Sequence, residues 1–207
     1  MRMTAPQGIA KSTVPQSLTR AETAAEDVIG FLEKGQLAKS HAEARILHRL
    51  AHGPAAAALR QNGVTVALIG EFQRRADKAT RLSLANAPAL EVSQAANDVS
   101  QLMPGFYARF KDPVPSKVLT LDYLDRQVQL DVWAHDKARL ADTVRQLDAT
   151  WQTVRPLLVN AGGVAVAKRY DLHLSALKQG GAASMLRKES VNGLDLVDKM
   201  EGVFLGQ

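Results

Sequence analysis

The chain has 207 residues, 46% of them hydrophobic and 23% charged, enough apolar side chain to bury a sizeable core and not a disordered or membrane-spanning composition. It contains no cysteine, which excludes disulfides, thiolate metal sites and cysteine nucleophiles together. The formal charge of +5 is spread evenly: residues 1–103 hold 12 basic against 9 acidic side chains and residues 104–207 hold 14 against 12, so there is no basic tail and a nucleic-acid partner is not expected.

No run approaches the roughly 20 apolar residues a membrane helix needs, and the first residues lack the apolar centre of a signal peptide. Taken at face value this predicts a soluble cytoplasmic protein, although a different start would remove the same evidence. Residues 1–17, with Pro6, Gly8 and Pro15 and no periodicity, read as a flexible arm. Thr19 and Glu22 have the spacing of a capping box and predict a helix start. Ala21, Ala25, Val28 and Leu32 then face inward, Glu22, Glu26 and Glu33 face outward, and Gly35 ends the helix.

A second helix runs from about Leu37 to His52 and stops at Gly53-Pro54; residues 55–60 prolong it or form a short helix before the turn at Asn62-Gly63. The third, roughly residues 64–86, packs Leu68, Phe72, Ala76, Ala79 and Leu82; the fourth carries Val92, Ala95, Val99 and Leu102. Residues 104–115 hold Pro104 and Pro113 and end on Pro115, which breaks helical continuity and predicts a linker whose aromatics Phe106, Tyr107 and Phe110 dock it.

Beyond the linker, Leu121, Leu124, Val128 and Val132 mark a fifth helix. The clearest seam follows: Leu140, Val144, Leu147, Trp151, Val154 and Leu158, a break at Asn160-Ala161-Gly162-Gly163, then Val166, Tyr170, Leu174 and Leu177. Steps of three and four place these side chains on one helix face, and the glycines stop the first helix, so this is a helical hairpin. The eighth helix uses Leu194, Val197, Met200 and Phe204. Gly63-Val-Thr-Val-Ala67 and Gly163-Val-Ala-Val-Ala167 match at an offset of 100, and the turns at Gly35 and Asp136 recur at nearly the same offset. The predicted fold is all-α, about eight amphipathic helices in hairpins, arranged as two tandem up-down four-helix bundles over residues 18–103 and 116–207.

Among polar side chains, His41, Arg45, His48 and His52 form a stripe on the second helix, on the side away from Ile46, Leu47 and Leu50. His48 and His52 have the i, i+4 spacing that clamps a transition metal, so His48, His52 and His41 are the candidate metal ligands; the competing reading is a solvated face. Arg74, Lys78 and Arg81, with Arg75 beside them, make a basic face on the third helix that suits phosphate groups or an acidic partner, without a glycine-rich phosphate loop. Single histidines at 135 and 173 and methionines at 103, 185 and 200 allow a haem reading, but no attachment motif accompanies them and packing is the simpler role. No nucleophile elbow, His-Glu-x-x-His or di-iron Glu-x-x-His set is present, so neither catalysis nor a cofactor is expected.

Trp151-Gln-Thr-Val-Arg155-Pro156, then Gly162-Gly163, then Ala167-Lys-Arg-Tyr170-Asp171 resembles a signature of uncharacterised bacterial, often exported, alanine-rich helical-bundle proteins. The resemblance covers mainly residues 116–205. It implies a periplasmic or envelope location and no known activity. The sequence reading is a non-enzymatic module that binds a protein or small ligand, with metal binding by the histidine stripe as the alternative.

Overall fold

The computed structural model describes residues 11–207, and among these the regular elements are all helical: α1 (Gln16–Glu33), α2 (Leu37–His52), α3 (Pro54–Gln61), α4 (Val66–Leu84), α5 (Ala89–Ser100), α6 (Met103–Tyr107), α7 (Lys117–Trp133), α8 (Lys137–Asn160), α9 (Val164–Gln179) and α10 (Ala183–Phe204). Eight of them have 12 or more residues, and α3 and α6 are short connectors. No helix among the described residues is long and apolar enough to cross a membrane.

The apolar seams find one another in two clusters. Val28, Leu47, Leu59, Phe72, Val99 and Phe106 belong to the first, and Leu121, Leu147, Trp151, Tyr170, Leu196 and Met200 to the second. In the first half α1 packs against α2 and α5, and α4 packs against the same two; in the second, α7 packs against α8 and α10, and α9 against the same two. Each half is therefore a closed ring of four helices around its own cluster, and the halves meet where α5 and α6 lie on α7.

Several local expectations are corrected. The first helix begins at Gln16, with Pro15 in extended backbone as its cap, so Thr19 and Glu22 lie inside the helix and do not cap it. Glu22 and Glu26 are half-buried rather than outward, because α7 and α10 of the other half lie over them. Thr13 and Ser12 are also not part of a free arm: the Thr13 N–H donates to the Lys111 carbonyl at 2.8 Å and the Ser12 hydroxyl to Asp112 at 2.7 Å. The remainder of the expected arm, residues 1–10, lies outside the described residues. In the proline-rich segment Phe106 and Tyr107 are buried in the first cluster, so its opening turn belongs to that core. On α10 it is Leu196, not Leu194, that joins Val197 and Met200 in the second core.

Candidate functional site

α2 and α4 are drawn together by small residues. Ala44, Leu47 and Ala51 of α2 face Phe72, Ala76 and Ala79 of α4, all buried. Two side chains pin the pair: the Thr80 hydroxyl donates to the Ala44 carbonyl at 2.8 Å, and the Gln73 amide to the Ala51 carbonyl at 3.2 Å. Because alanines bring the backbones close, the longer side chains on the outer shoulders stand apart. They enclose a groove of about 930 Å³ with Arg45, His48, Arg49 and His52 on one wall, Arg74, Asp77, Lys78 and Arg81 on the other, and Ile46 and Leu84 as apolar surface.

The histidine stripe and the basic face, read from the sequence as separate features, thus line one groove. Arg74 pairs with Glu71, and Lys78 lies 3.7 Å from Asp98. Asp77 lies against both histidines, its Oδ1 at 2.9 Å from His48 Nδ1 and 2.7 Å from His52 Nε2. Among the described residues Arg45, Arg49 and Arg81 have no carboxylate within ion-pair distance. The groove is left with a surplus of fixed positive charge beside an apolar floor.

Two sequence-derived candidates fall outside this arrangement. His41 is two helical turns before His48, about 10 Å along the axis at 1.5 Å per residue, and does not join the ligand atoms of His48, His52 and Asp77. Arg75 turns the other way: its guanidinium bonds Glu71 at 2.7 Å, the Asp98 carbonyl at 2.5 Å and Gln101 at 2.7 Å, tying α4 to α5. The residue that sequence reading missed is Asp77. It sits between Arg74 and Arg81 on the face taken as basic, and only the packing of α4 on α2 reveals its partners.

Two buried polar clusters complete the chemistry. In the second half, Asp125 receives the Tyr170 hydroxyl at 2.7 Å and lies 2.8 Å from His173 Nε2, while His173 Nδ1 lies 3.0 Å from Glu189. Burial alone would lower the His173 pKa, but the hydrogen bonds and charges of Asp125 and Glu189 outweigh it and raise it. Both ring nitrogens are engaged, so His173 has no free lone pair for haem, and the haem reading loses its buried ligand. At the junction of the halves, Glu22, Glu26 and Asp122 gather about Arg126, which lies 3.2 Å from Asp122 and 3.5 Å from Glu26, and Glu201 stands near Glu22 and Asp122. Burial raises Glu22 to about 8 and Glu201 to about 7, with neighbouring carboxylates adding to it, and Tyr107 donates its hydroxyl to Glu22. Neither cluster opens onto the groove.

The signature residues also converge. Trp151 Nε1 donates to Asp171 at 2.8 Å, the Arg155 guanidinium donates to both oxygens of the same carboxylate at 2.9 to 3.1 Å, and the Trp151 ring stacks on Tyr170 with centroids 4.5 Å apart. This half-exposed bidentate pair fastens α8 to α9 around the core tryptophan and is structural. Comparison with protein-family models, curated proteins and solved structures gives no match.

Proposed function

We propose that the chain is a non-enzymatic binding module whose ligand site is the groove between α2 and α4, and that its ligand is a small molecule bearing phosphate groups. The observation that carries this reading is the convergence of Arg45, Arg49 and Arg81, without acidic partners, on one apolar-floored groove. Guanidinium groups bind phosphate bidentately, and a volume of about 930 Å³ is that of a small-molecule site rather than of a helix-binding trough. The even distribution of charge elsewhere disfavours a long polyanion.

Calorimetric titration with pyrophosphate and tripolyphosphate, in the presence of a chelator, tests it. Saturable binding that weakens with salt and is lost on joint Arg45→Ser and Arg81→Ser substitution supports the reading. Equal binding by the double variant, or binding of an acidic peptide in preference to either phosphate, overturns it.

Within the same reading the two halves are copies of one four-helix unit. The support is their shared order of helix packing, and a residue of positive φ at each hairpin turn: Gly35, Gly63 and Asn86 in the first half, His135, Gly162 and Gly180 in the second. The copies have diverged in function, since the groove's histidines and arginines lie in the first and the buried Asp125 network in the second. The export implied by the resemblance is part of the proposal, and fractionation of native cells checks it: recovery with the cytosol would remove the envelope role.

A further inference from the structure

We infer that His48, His52 and Asp77 form a binding site for one divalent first-row transition metal, with zinc the best match. The inference goes beyond the phosphate reading and does not depend on it. Two imidazoles one helical turn apart on α2 and a carboxylate from α4 present three ligand atoms that all lie within 4.8 Å of one another. His48 offers Nδ1 and His52 offers Nε2, and both point at a single oxygen of Asp77, at 2.9 and 2.7 Å.

Convergence on one point is what distinguishes this trio from ordinary surface pairing. A carboxylate that merely neutralised two histidines has two oxygens to share between them, and here both rings reach for the same one. A tetrahedral zinc ion with bonds of about 2.0–2.2 Å holds its ligands roughly 3.3–3.6 Å apart. The two nitrogen–oxygen separations need to widen by roughly 0.4–0.9 Å while the ring proton leaves each coordinating nitrogen. Two nitrogens and one carboxylate oxygen suit zinc, nickel or copper, and are too few and too soft for calcium or magnesium.

The scaffold holds the ligands in register. Asp77 follows buried Ala76 and His52 follows buried Ala51, whose carbonyl accepts from Gln73; Thr80, one turn beyond Asp77, bonds Ala44. Of the cations beside Asp77 on α4, Arg74 is drawn off to Glu71 and Lys78 to Asp98, while Arg81, one turn on, is unpaired among the described residues. Arg45, Arg49 and Arg81 oppose the charge of a bare dication but occupy none of the three ligand atoms. With side-chain exposures of 48%, 39% and 47% the site is open to solvent, which leaves the fourth position for water.

The test is titration of the full chain with Zn²⁺, and with Co²⁺ as a spectroscopic probe, in a phosphate-free, non-coordinating buffer. One ion per chain is expected, with the visible absorption bands of four-coordinate cobalt. His48→Ala, His52→Ala and Asp77→Asn should each weaken binding by at least about tenfold, while His41→Ala leaves it unchanged. These side chains are exposed, and Asp77→Asn keeps size and shape, so retained helicity by circular dichroism will separate lost ligation from lost fold. Absence of saturable binding, or binding that survives all three substitutions, overturns the inference. The metal assay contains no phosphate and the phosphate assay contains chelator, so each proposal fails on its own.

Discussion

Gly193 of α10 lies directly on the Asp125 carboxylate of α7: a Cβ built on it would stand 2.4 Å from Oδ1 and 2.7 Å from Oδ2. The two helices approach closely at this point because the glycine leaves room for a buried acid that is itself bonded to Tyr170 and His173. Gly193→Ala gains roughly 1 kcal/mol of helix propensity but must push the carboxylate off its partners. A net loss of about 1–3 kcal/mol in urea unfolding is expected. Gly30 of α1 is the control, since a Cβ there meets nothing within 4 Å. Gly30→Ala should stabilise by up to about 1 kcal/mol, and equal effects at the two positions would show that Asp125 yields freely.

Trp151 is buried at 1% exposure, stacked on Tyr170 and bonded to Asp171. Trp151→Ala should destabilise by roughly 3–5 kcal/mol, the scale for truncating a large core aromatic. Trp151→Phe keeps most of the apolar volume, and its smaller loss reports the shrunken ring together with the bond to Asp171, itself about 1 kcal/mol. A loss under about 1 kcal/mol for the alanine variant in denaturant titration would mean that the α8/α9 contact collapses to refill the site.

The helices and their seams were legible because burial repeats at the helical period: Leu147, Trp151, Val154 and Leu158, or Phe72, Ala76 and Ala79, announce an inner face without knowledge of what they meet. What could not be read is which polar residue meets another helix. Glu22 and Glu26 look like ordinary outer positions until α7, a hundred residues later, is laid across them. Asp77 is a lone acid among arginines until α2 brings two histidines to it. Asp125 did leave a signal, since by helical spacing it shares the face of Leu121, Leu124 and Val128, where a carboxylate needs buried partners. Thr19 and Glu22 mimic a capping box because spacing alone cannot show that Pro15 has already begun the helix.

The halves are joined by amides. Gln127 of α7 accepts from Asn97 of α5 at 3.0 Å and from Gln94 at 2.9 Å, and donates to Asp131 at 2.6 Å, which in turn accepts from Thr143 at 2.6 Å. Gln127→Ala would leave the buried Asn97 amide with only its long 3.4 Å bond to the Tyr123 carbonyl and the Asp131 Oδ1 with only Arg139 at 3.2 Å, with an expected loss of about 1–3 kcal/mol. Gln127→Glu should cost more, because it sets a second carboxylate beside Asp131 in a buried site. Equilibrium unfolding of the two variants, followed by tryptophan fluorescence, checks the order; an unchanged Gln127→Ala variant would mean that water replaces the lost bonds.

Stability should fall as pH rises through neutrality, and the cause lies at the junction of the halves. Desolvation, with help from Asp122 and Glu201, raises Glu22 from 4.5 to about 8, and desolvation with Asp122 and Asp198 raises Glu201 from 4.5 to about 7. Between those limits the folded chain keeps protons that the unfolded chain has released, so the slope of stability against pH is negative. The contribution is fully present below the unfolded value of 4.5 and is lost as pH climbs through about 7 and about 8. His173, raised above 6.5 by Asp125 and Glu189 against its own desolvation, acts in the same direction at the upper end. The lowered carboxylates Glu71, Asp148 and Asp171 act oppositely, but they titrate below their usual values and leave the neutral range untouched. The melting temperature should therefore decline between about pH 5 and pH 9, as the junction loses its protons and like charges gather around Arg126. Glu22→Gln, which keeps the Tyr107 hydrogen bond and never ionises, should flatten that decline. A melting temperature that rises with pH in the wild-type chain, or a Glu22→Gln profile parallel to it, would show that these carboxyls are hydrated in the folded state.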